Sequence, residues 1–441
     1  MRHYKIHPKY KKSGVDWLDV VPSHWTLGKL GACFSERNDK VSDTEYPPLS
    51  VTKNGIVPQM EHVAKTDAGD NRKKVCKNDF VINSRSDRKG SSGVSEFEGS
   101  VSLISTVLEP GFYLPRFAHH LFRSYNFQEE FYRSGKGIVA DLWSTRYAEM
   151  KNILVPLVPE HEQEAIANFL DRETARIDNL IAEKQTFINL LKEKRQALIS
   201  HVVTKGLDPN VKMKDSGIDW IGEVPEHWEI SKIKNISLVN APTKKPKLDS
   251  DILVGFVPMT NIDEKKGVIA KINKKTFEEV RSGYTAFQEN DVIFAKITPC
   301  MENGNCAIVP KIVHNIAFGS TEFIVFRAYK SVSPNYLHLI LRNKELRNIC
   351  ERFMTGTAGQ QRISTSFLSN FPVALPSIEE QRKIVQVLKK KAHTLESLED
   401  ETFRSISLLK EQRTALISAA VTGKIDVRNY KRRRPHEAGN I

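Results

Sequence analysis

The chain has 441 residues, 40% of them hydrophobic and 27% charged, which is too long for one ordinary domain and too apolar for wholesale disorder. Lys plus Arg outnumber Asp plus Glu by 66 to 53, a formal charge of +13, so a polyanionic partner is favoured and nucleic acid comes first. No apolar run reaches the ~18 residues that span a bilayer and residues 1–7 lack an apolar signal core, so a cytoplasmic protein without a membrane partner is expected.

In chain order, Ser13-Gly14-Val15-Asp16-Trp17-Leu18 leads into Val21-Pro22-Ser23-His24-Trp25. Both strings return 203 positions later as Ser216-Gly217-Ile218-Asp219-Trp220-Ile221 and Val224-Pro225-Glu226-His227-Trp228. Leu49-Ser50-Val51-Thr52 is echoed by Val257-Pro258-Met259-Thr260 at an offset of 208, and Asn78-Asp79-Phe80-Val81-Ile82 by Asn290-Asp291-Val292-Ile293-Phe294 at 212. Residues 190–200 return as 408–418, an offset of 218. A repeat of about 200 residues is a duplicated domain plus helix, not a solenoid unit.

The middles of the copies read as β-rich. Asp79–Ile82, Val101–Leu108, Asp291–Ile297 and Glu322–Phe326 are short apolar runs bounded by Gly, Asn, Ser and Pro. Pro115–Gly135 and Ser333–Thr355 are helical candidates, so each middle is expected to be an α/β globule. From Glu160 to Val203 there is neither Pro nor Gly. Leu170, Ile177, Leu191 and Leu198 fall on one heptad row and Leu180 and Phe187 on the row three residues later, and Ile181, Ile188 and Val202 widen the stripe. The second copy has Leu388, Leu395, Leu409 and Leu416 on the matching row, with Leu398 and Ile406 beside it, and Gly206 and Gly423 read as helix stops.

The expected fold is therefore α/β (α+β), with two globules and two long, antiparallel, pairing helices related by a pseudo-two-fold. The segments are 1–158 for the first globule and its entry, 159–205 for the first helix, 206–375 for the second globule, 376–424 for the second helix, and a basic tail at 425–441. Such a molecule suits two half-sites of duplex DNA separated by an untouched spacer.

Catalytic signatures are missing. There is no Asn-Pro-Pro-Tyr or Asp-Pro-Pro-Tyr loop and no G-x-x-x-x-G-K-[ST] phosphate loop. Asp263-Glu264-Lys265 reads as a solvated turn, and Cys300 and Cys306, without a paired His, as packing residues. The five cysteines form no C-x-x-C pair and are expected to be reduced. No catalytic, cofactor or metal residue is assigned.

For DNA contact the candidates are loop residues with amide, hydroxyl or cationic tips, because Arg and Asn read base edges in pairs of bonds while Lys meets phosphate as a point charge. In the first copy these are Thr52, Lys53, Asn83, Arg85, Arg88 and Lys89; in the second, Thr260, Asn261, Lys296, Thr298, Asn303, Gln360, Gln361 and Arg362. Lys431-Arg432-Arg433-Arg434 could grip phosphates or form an untidy tail.

Residues 219–228 and 290–304, the strings Gly319-Ser320-Thr321-Glu322-Phe323 and Gly359-Gln360-Gln361-Arg362-Ile363, and Leu375-Pro376 leading into Glu379-Glu380-Gln381-Arg382 resemble the specificity subunit of a type I restriction–modification system. The resemblance covers nearly the whole chain. It implies two target-recognition domains, each followed by a long helix, that read a bipartite double-stranded DNA target without catalysis. It also implies two methyltransferase subunits using S-adenosylmethionine and restriction subunits using ATP and Mg, with no cofactor on this chain. The first copy departs from the pattern, with Gly137-Ile138-Val139-Ala140-Asp141-Leu142 where the second has the Gln-Gln-Arg run. The rival readings are a related methyltransferase or nuclease with an unrecognised catalytic site, and a coiled-coil scaffold that binds only protein.

Overall fold

The structure, a computed structural model, describes residues 4–59, 69–137, 143–243, 247–357 and 359–430. The basic tail from Lys431 and most of the Gly137–Leu142 run lie outside them. Two compact units divide the chain: residues 1–185 with 403–441, and residues 186–402. Neither unit is contiguous with one globule alone, because each takes part of both long helices.

Unit one starts from a two-stranded neck, Thr26–Lys29 antiparallel to Leu154–Leu157. From it hangs a four-stranded sheet in the order Ser92–Val94, Phe80–Asn83, Ser105–Glu109, Ser35–Glu36. The run Val101–Leu108, expected as one strand, is two. Ser105 N donates to Ser102 O at 2.9 Å, and this turn sends Gly99–Val101 into a second, three-stranded sheet. Unit two repeats the plan, with a neck of Glu229–Lys232 against Pro372–Leu375 and a sheet ordered Ser237–Val239, Phe323–Ala328, Val292–Ala295, Cys306–Ile308.

The echoed Asn-Asp pairs make the same turn into the central strand of each unit. Asn78 and Asn290 take φ of +73° and +66°, a left-handed backbone that Asn tolerates. The following carboxylate folds back, Asp79 accepting from Cys76 N and Asp291 from Gln288 N, both at 2.8 Å. Arg37 and Arg327, arriving from different strands, bind these buried carboxylates and are pushed to higher pKa by the hydrogen bond.

Both helical candidates are broken in two. Pro115–Arg123 and Tyr125–Arg133 are separated at Ser124, which is extended (ψ 146°) and donates its hydroxyl to Leu121 O at 2.6 Å. Pro334–Leu341 and Lys344–Arg352 are separated at Asn343, whose side chain accepts from Glu345 N and starts the second helix.

The long helices span Glu160–Lys205 and Ile378–Val421 and stop at Gly206 and Gly423, with φ of +76° and +72°. Their buried stripe keeps most of the heptad row, with Leu170, Ile177, Leu191, Leu388, Leu395 and Leu416 buried, but an 11-residue series carries it along the whole length. Ile166, Ile177, Ile188 and Ile199 are all buried, as are Ile384, Leu395, Ile406 and Ile417, and each series steps by 11 residues. At ~3.67 residues per turn an 11-residue step stays on one face of a helix, whereas a seven-residue step drifts off it. Phe187 and Leu398, which the heptad rows placed in the seam, are accordingly exposed. In unit one the start of the first helix packs on the end of the second, with Ile166, Leu170 and Ile177 beside Leu416, Ile417 and Val421. Asp178 and Arg413 form an ion pair there at 2.9 Å. In unit two the end of the first helix meets the start of the second through Ile199, Val202, Ile384 and Leu388, with Arg195 3.3 Å from Glu396. The pairing is antiparallel in both.

Each unit fastens its globule to a helix start with the same clamp. Glu162 accepts from the buried Trp25 Nε1 at 3.0 Å and lies 2.6 Å from His24 Nε2; Glu380 accepts from Trp228 Nε1 at 3.1 Å and lies 2.9 Å from His227 Nε2. The next residue, Gln163 or Gln381, accepts from a backbone N–H of the globule (Leu114 or Ser333) at 2.8 or 2.9 Å.

Candidate nucleic-acid interface

In unit two, several loops that are far apart in sequence form one surface. The strand Val292–Ala295 runs out at Lys296, whose carbonyl accepts from Ile363 N at 2.9 Å, and Ile297 bridges to Arg362. Thr298 N donates to Gln361 O at 3.0 Å and its hydroxyl accepts from Gln361 N at 3.1 Å. The Gly319–Phe323 segment closes the ring, with Lys296 Nζ donating to Thr321 O at 2.9 Å. Lys296, Thr298, Gln360, Gln361 and Arg362 therefore share one patch, and Gln360 and Arg362 are exposed on it. Asn303 is exposed at the end of the short helix Cys300–Asn303 that follows.

Arg362 is bound by the carboxylate of Glu322 through Nε and Nη2, at 3.0 and 2.9 Å. Its hydrogen bonds hold the Glu322 carboxyl below the usual carboxylate range. Glu322 lies inside a string already singled out in the sequence, but its hold on Arg362 needed the structure.

Unit one builds the same joint from other residues. Thr145 N donates to Ser84 O at 2.9 Å, the counterpart of the Ile363–Lys296 bond, and Arg85 and Lys136 both bridge to Ser144. In unit two, Ile297 and Thr355 both bridge to Arg362 in the same way. The position matching Arg362 is thus Ser144, beyond the Gly137–Leu142 run that the sequence comparison set against it. The free guanidinium of unit one comes from the other strand, as exposed Arg85. It borders a cleft of about 560 Å³ lined also by Lys73, Trp143 and Arg146, which the sequence reading missed. Trp143 beside Arg146 was the available signal, an aromatic face next to a guanidinium.

The remaining candidates are less free. Lys89 pairs with Glu129 at 2.6 Å and sits 4.9 Å from the Tyr132 ring centre, while exposed Arg88 lies 3.5 Å from Asp87. The Asn83 side chain accepts from Arg85 N at 3.0 Å and so shapes its loop. Thr52 closes the tip of the hairpin Leu49–Thr52/Gly55–Pro58 by donating to Gly55 O at 2.9 Å, leaving Lys53 exposed at the tip. Asn261 donates to Lys271 O at 2.9 Å, with Thr260 exposed beside it.

The tip of the hairpin Leu49–Thr52/Gly55–Pro58 and that of its counterpart Ile262–Asp263/Val268–Ile269 are each held by an arginine that the sequence reading passed over. Arg123 donates to Lys53 O at 2.5 Å; Arg342 donates to Glu264 O and Lys265 O at 2.7 and 2.9 Å. Each sits one helical turn after a half-buried histidine, His119 or His338, and loss of solvent lowers the pKa of all four. The Asp263-Glu264-Lys265 turn is closed by its own Asp, whose carboxylate accepts from Lys265 N and Lys266 N, both at 2.9 Å.

Residues 225–402 match the type I restriction modification DNA specificity domain, which takes in the Lys296–Arg362 patch. Over this stretch the chain is similar to type I specificity subunits. It is 32% identical over 188 residues to the EcoEI specificity subunit of Escherichia coli, a stretch covering 42% of this chain and 31% of that one. It is 22% identical over 372 residues to the EcoKI specificity subunit of Escherichia coli strain K12, covering 80% and 76%. The fold is shared with a solved chain from work on complex assembly and conformational transition of the type I R-M system: TM-score 0.67, 14% identity, 91% of this chain and 98% of that one. The two relatives matched at 31–32% identity are matched over only about a third of their own length. Among the described residues no helix is long and apolar enough to cross a membrane.

Proposed function

We propose that this chain is the DNA sequence-specificity subunit of a type I restriction–modification complex, each unit reading one half of a bipartite duplex target. The observation that carries this reading is the loop joint built twice on one backbone pattern with different side chains. Ser84–Arg85 crosses Ser144–Thr145 in one unit, and Lys296–Ile297 crosses Arg362–Ile363 in the other. A shared scaffold with divergent exposed tips is what two readers of different base sequences require. The chain performs no chemistry. Two methyltransferase subunits supply S-adenosylmethionine-dependent transfer, restriction subunits supply ATP- and Mg-dependent translocation and cleavage, and this chain binds none of these cofactors.

The test is reconstitution with the methyltransferase subunits, followed by mapping of the methylated bases and a salt titration of binding. A two-part target is expected, with log K falling by about 0.9 per phosphate neutralised as log salt rises. Methyl transfer by the isolated chain would revive the enzyme reading. Assembly with the partners but no DNA dependence would favour a protein scaffold.

A further inference from the structure

We propose that His7, His24 and Glu162 form a binding site for one divalent transition-metal ion of the zinc type, with Asp426 beside it. The sequence reading assigned no metal ligand, because these residues lie far apart along the chain. In unit one their ligand atoms all fall within 4.8 Å of one another. Zinc bonds of about 2.1 Å put tetrahedral ligands roughly 3.4 Å apart, so a shift of about 1 Å completes the geometry. Exposed His24 would make it by giving up its 2.6 Å contact with Glu162 Oε1 to the ion between them.

The second copy of the clamp is an internal control. His227, Trp228 and Glu380 repeat His24, Trp25 and Glu162 and hold unit two together with one histidine. Residue 210, which stands 203 positions after His7, is an exposed Asn. The clamp therefore does not account for His7. That side chain is 3% exposed, yet its Nδ1 has no hydrogen-bond partner, and the nearest carboxylate, Asp426 Oδ2, lies 4.0 Å away. A buried ring nitrogen without a partner, on an imidazole whose centre lies 5.5 Å from that of His24 and beside a carboxylate, is what a metal would satisfy.

The outer contacts suit the role. Trp25 Nε1 fixes Glu162 Oε2, so Oε1, which now faces His24 Nε2 at 2.6 Å, is the oxygen an ion would take. Asp426 is aligned by its backbone N–H donating to Lys5 O at 2.8 Å. Arg428 now balances the charge, 3.8 Å from Glu162 and doubly bonded to Asp426. A metal would take over the first of those roles and leave the second. It would tie three distant stretches of unit one: the segment around residue 7, the start of the first long helix, and the segment after the second.

The experiment uses the full chain without an oligohistidine tag, stripped with chelator, then titrated with zinc and with cobalt. The expected result is one ion per chain, a raised melting temperature, and a visible cobalt spectrum of nitrogen and oxygen ligation. Affinity should weaken at least tenfold in His7→Asn and in His24→Gln, and stay unchanged in His227→Asn. His24 is exposed, so its variant keeps the test intact should His7→Asn fail to fold. Absence of stoichiometric uptake, or uptake that both first-unit variants retain, overturns the proposal.

Discussion

The guanidinium of Arg362 is held by the Glu322 carboxylate through two hydrogen bonds, so the donor best placed to read a base in unit two is already occupied. On the proposed function, DNA would compete with that carboxylate or take the edge of Arg362 that Glu322 leaves open. Arg362→Ala is expected to weaken specific binding roughly 10- to 100-fold and to relax preference at one position of one half-site. Glu322→Gln should keep the loop joint, weaken the hold on Arg362, and raise affinity for unrelated duplexes. Both are read by titration against matched and mismatched oligonucleotides; unchanged site preference in Arg362→Ala would remove it from the reading surface.

The half-buried histidines beneath the hairpins set a pH dependence. Burial, reinforced by Arg342, pushes His338 down to about 4, and burial with Arg123 pushes His119 down to about 3. Each is neutral in the folded protein and takes up a proton on unfolding once pH falls below about 6.5. The unfolded state then binds more protons, so stability is full above that pH and declines as pH falls toward 4. The loss for His338 is on the order of 3 kcal/mol by pH 4. His338→Gln should flatten the slope in that window. An unchanged slope of denaturation midpoint against pH would show that His338 does not titrate there.

The arginine one turn further on serves the hairpin. Arg342→Met keeps an apolar stem over Gly267 but removes the donors to Glu264 and Lys265 carbonyls. The expected cost is about 2 kcal/mol of unit-two stability, with faster amide exchange at Ile262–Ile269 than elsewhere in the unit. Uniform loss of protection would mean that the arginine supports the whole core.

The duplicated ends, the two helices and the Asn-Asp turns were legible in the sequence because local chemistry decides them. Asn tolerates left-handed backbone, glycine ends helices, and an uninterrupted apolar stripe needs a partner. The stripe was legible at Ile188, Val202 and Ile406, but Phe187 and Leu398 beside it are exposed, since heptad and 11-residue rows share many members and diverge only along the length of the helix. The loop joint was not legible. Nothing local says that Ile297 will cross Arg362, or that Glu322 will occupy its guanidinium. The hairpin arginines were within reach, because His119 with Arg123 recurs as His338 with Arg342 at one constant offset of 219.

Each recognition middle leaves and re-enters its unit at a two-stranded neck, which makes it exchangeable. In unit one Leu30 N donates to Ile153 O and Gly31 N to Lys151 O, at 2.9 and 3.0 Å, just above the pair Thr26–Lys29 and Leu154–Leu157. In unit two Ile233 N donates to Phe371 O at 3.1 Å above Glu229–Lys232 and Pro372–Leu375. Entry and exit are therefore neighbours fixed by backbone bonds, which accept any side chains. The clamps at Glu162 and Glu380 lie below the necks and are left untouched by an exchange. Replacing residues 31–153 with the equivalent segment of another specificity subunit should give a folded chain that assembles with its partners and reads one new half-site. The half-site read through residues 234–375 should persist. Mapping methylation in cells that carry the chimaera decides it. Loss of both half-sites in a chain that still assembles would show that the two middles do not read independently.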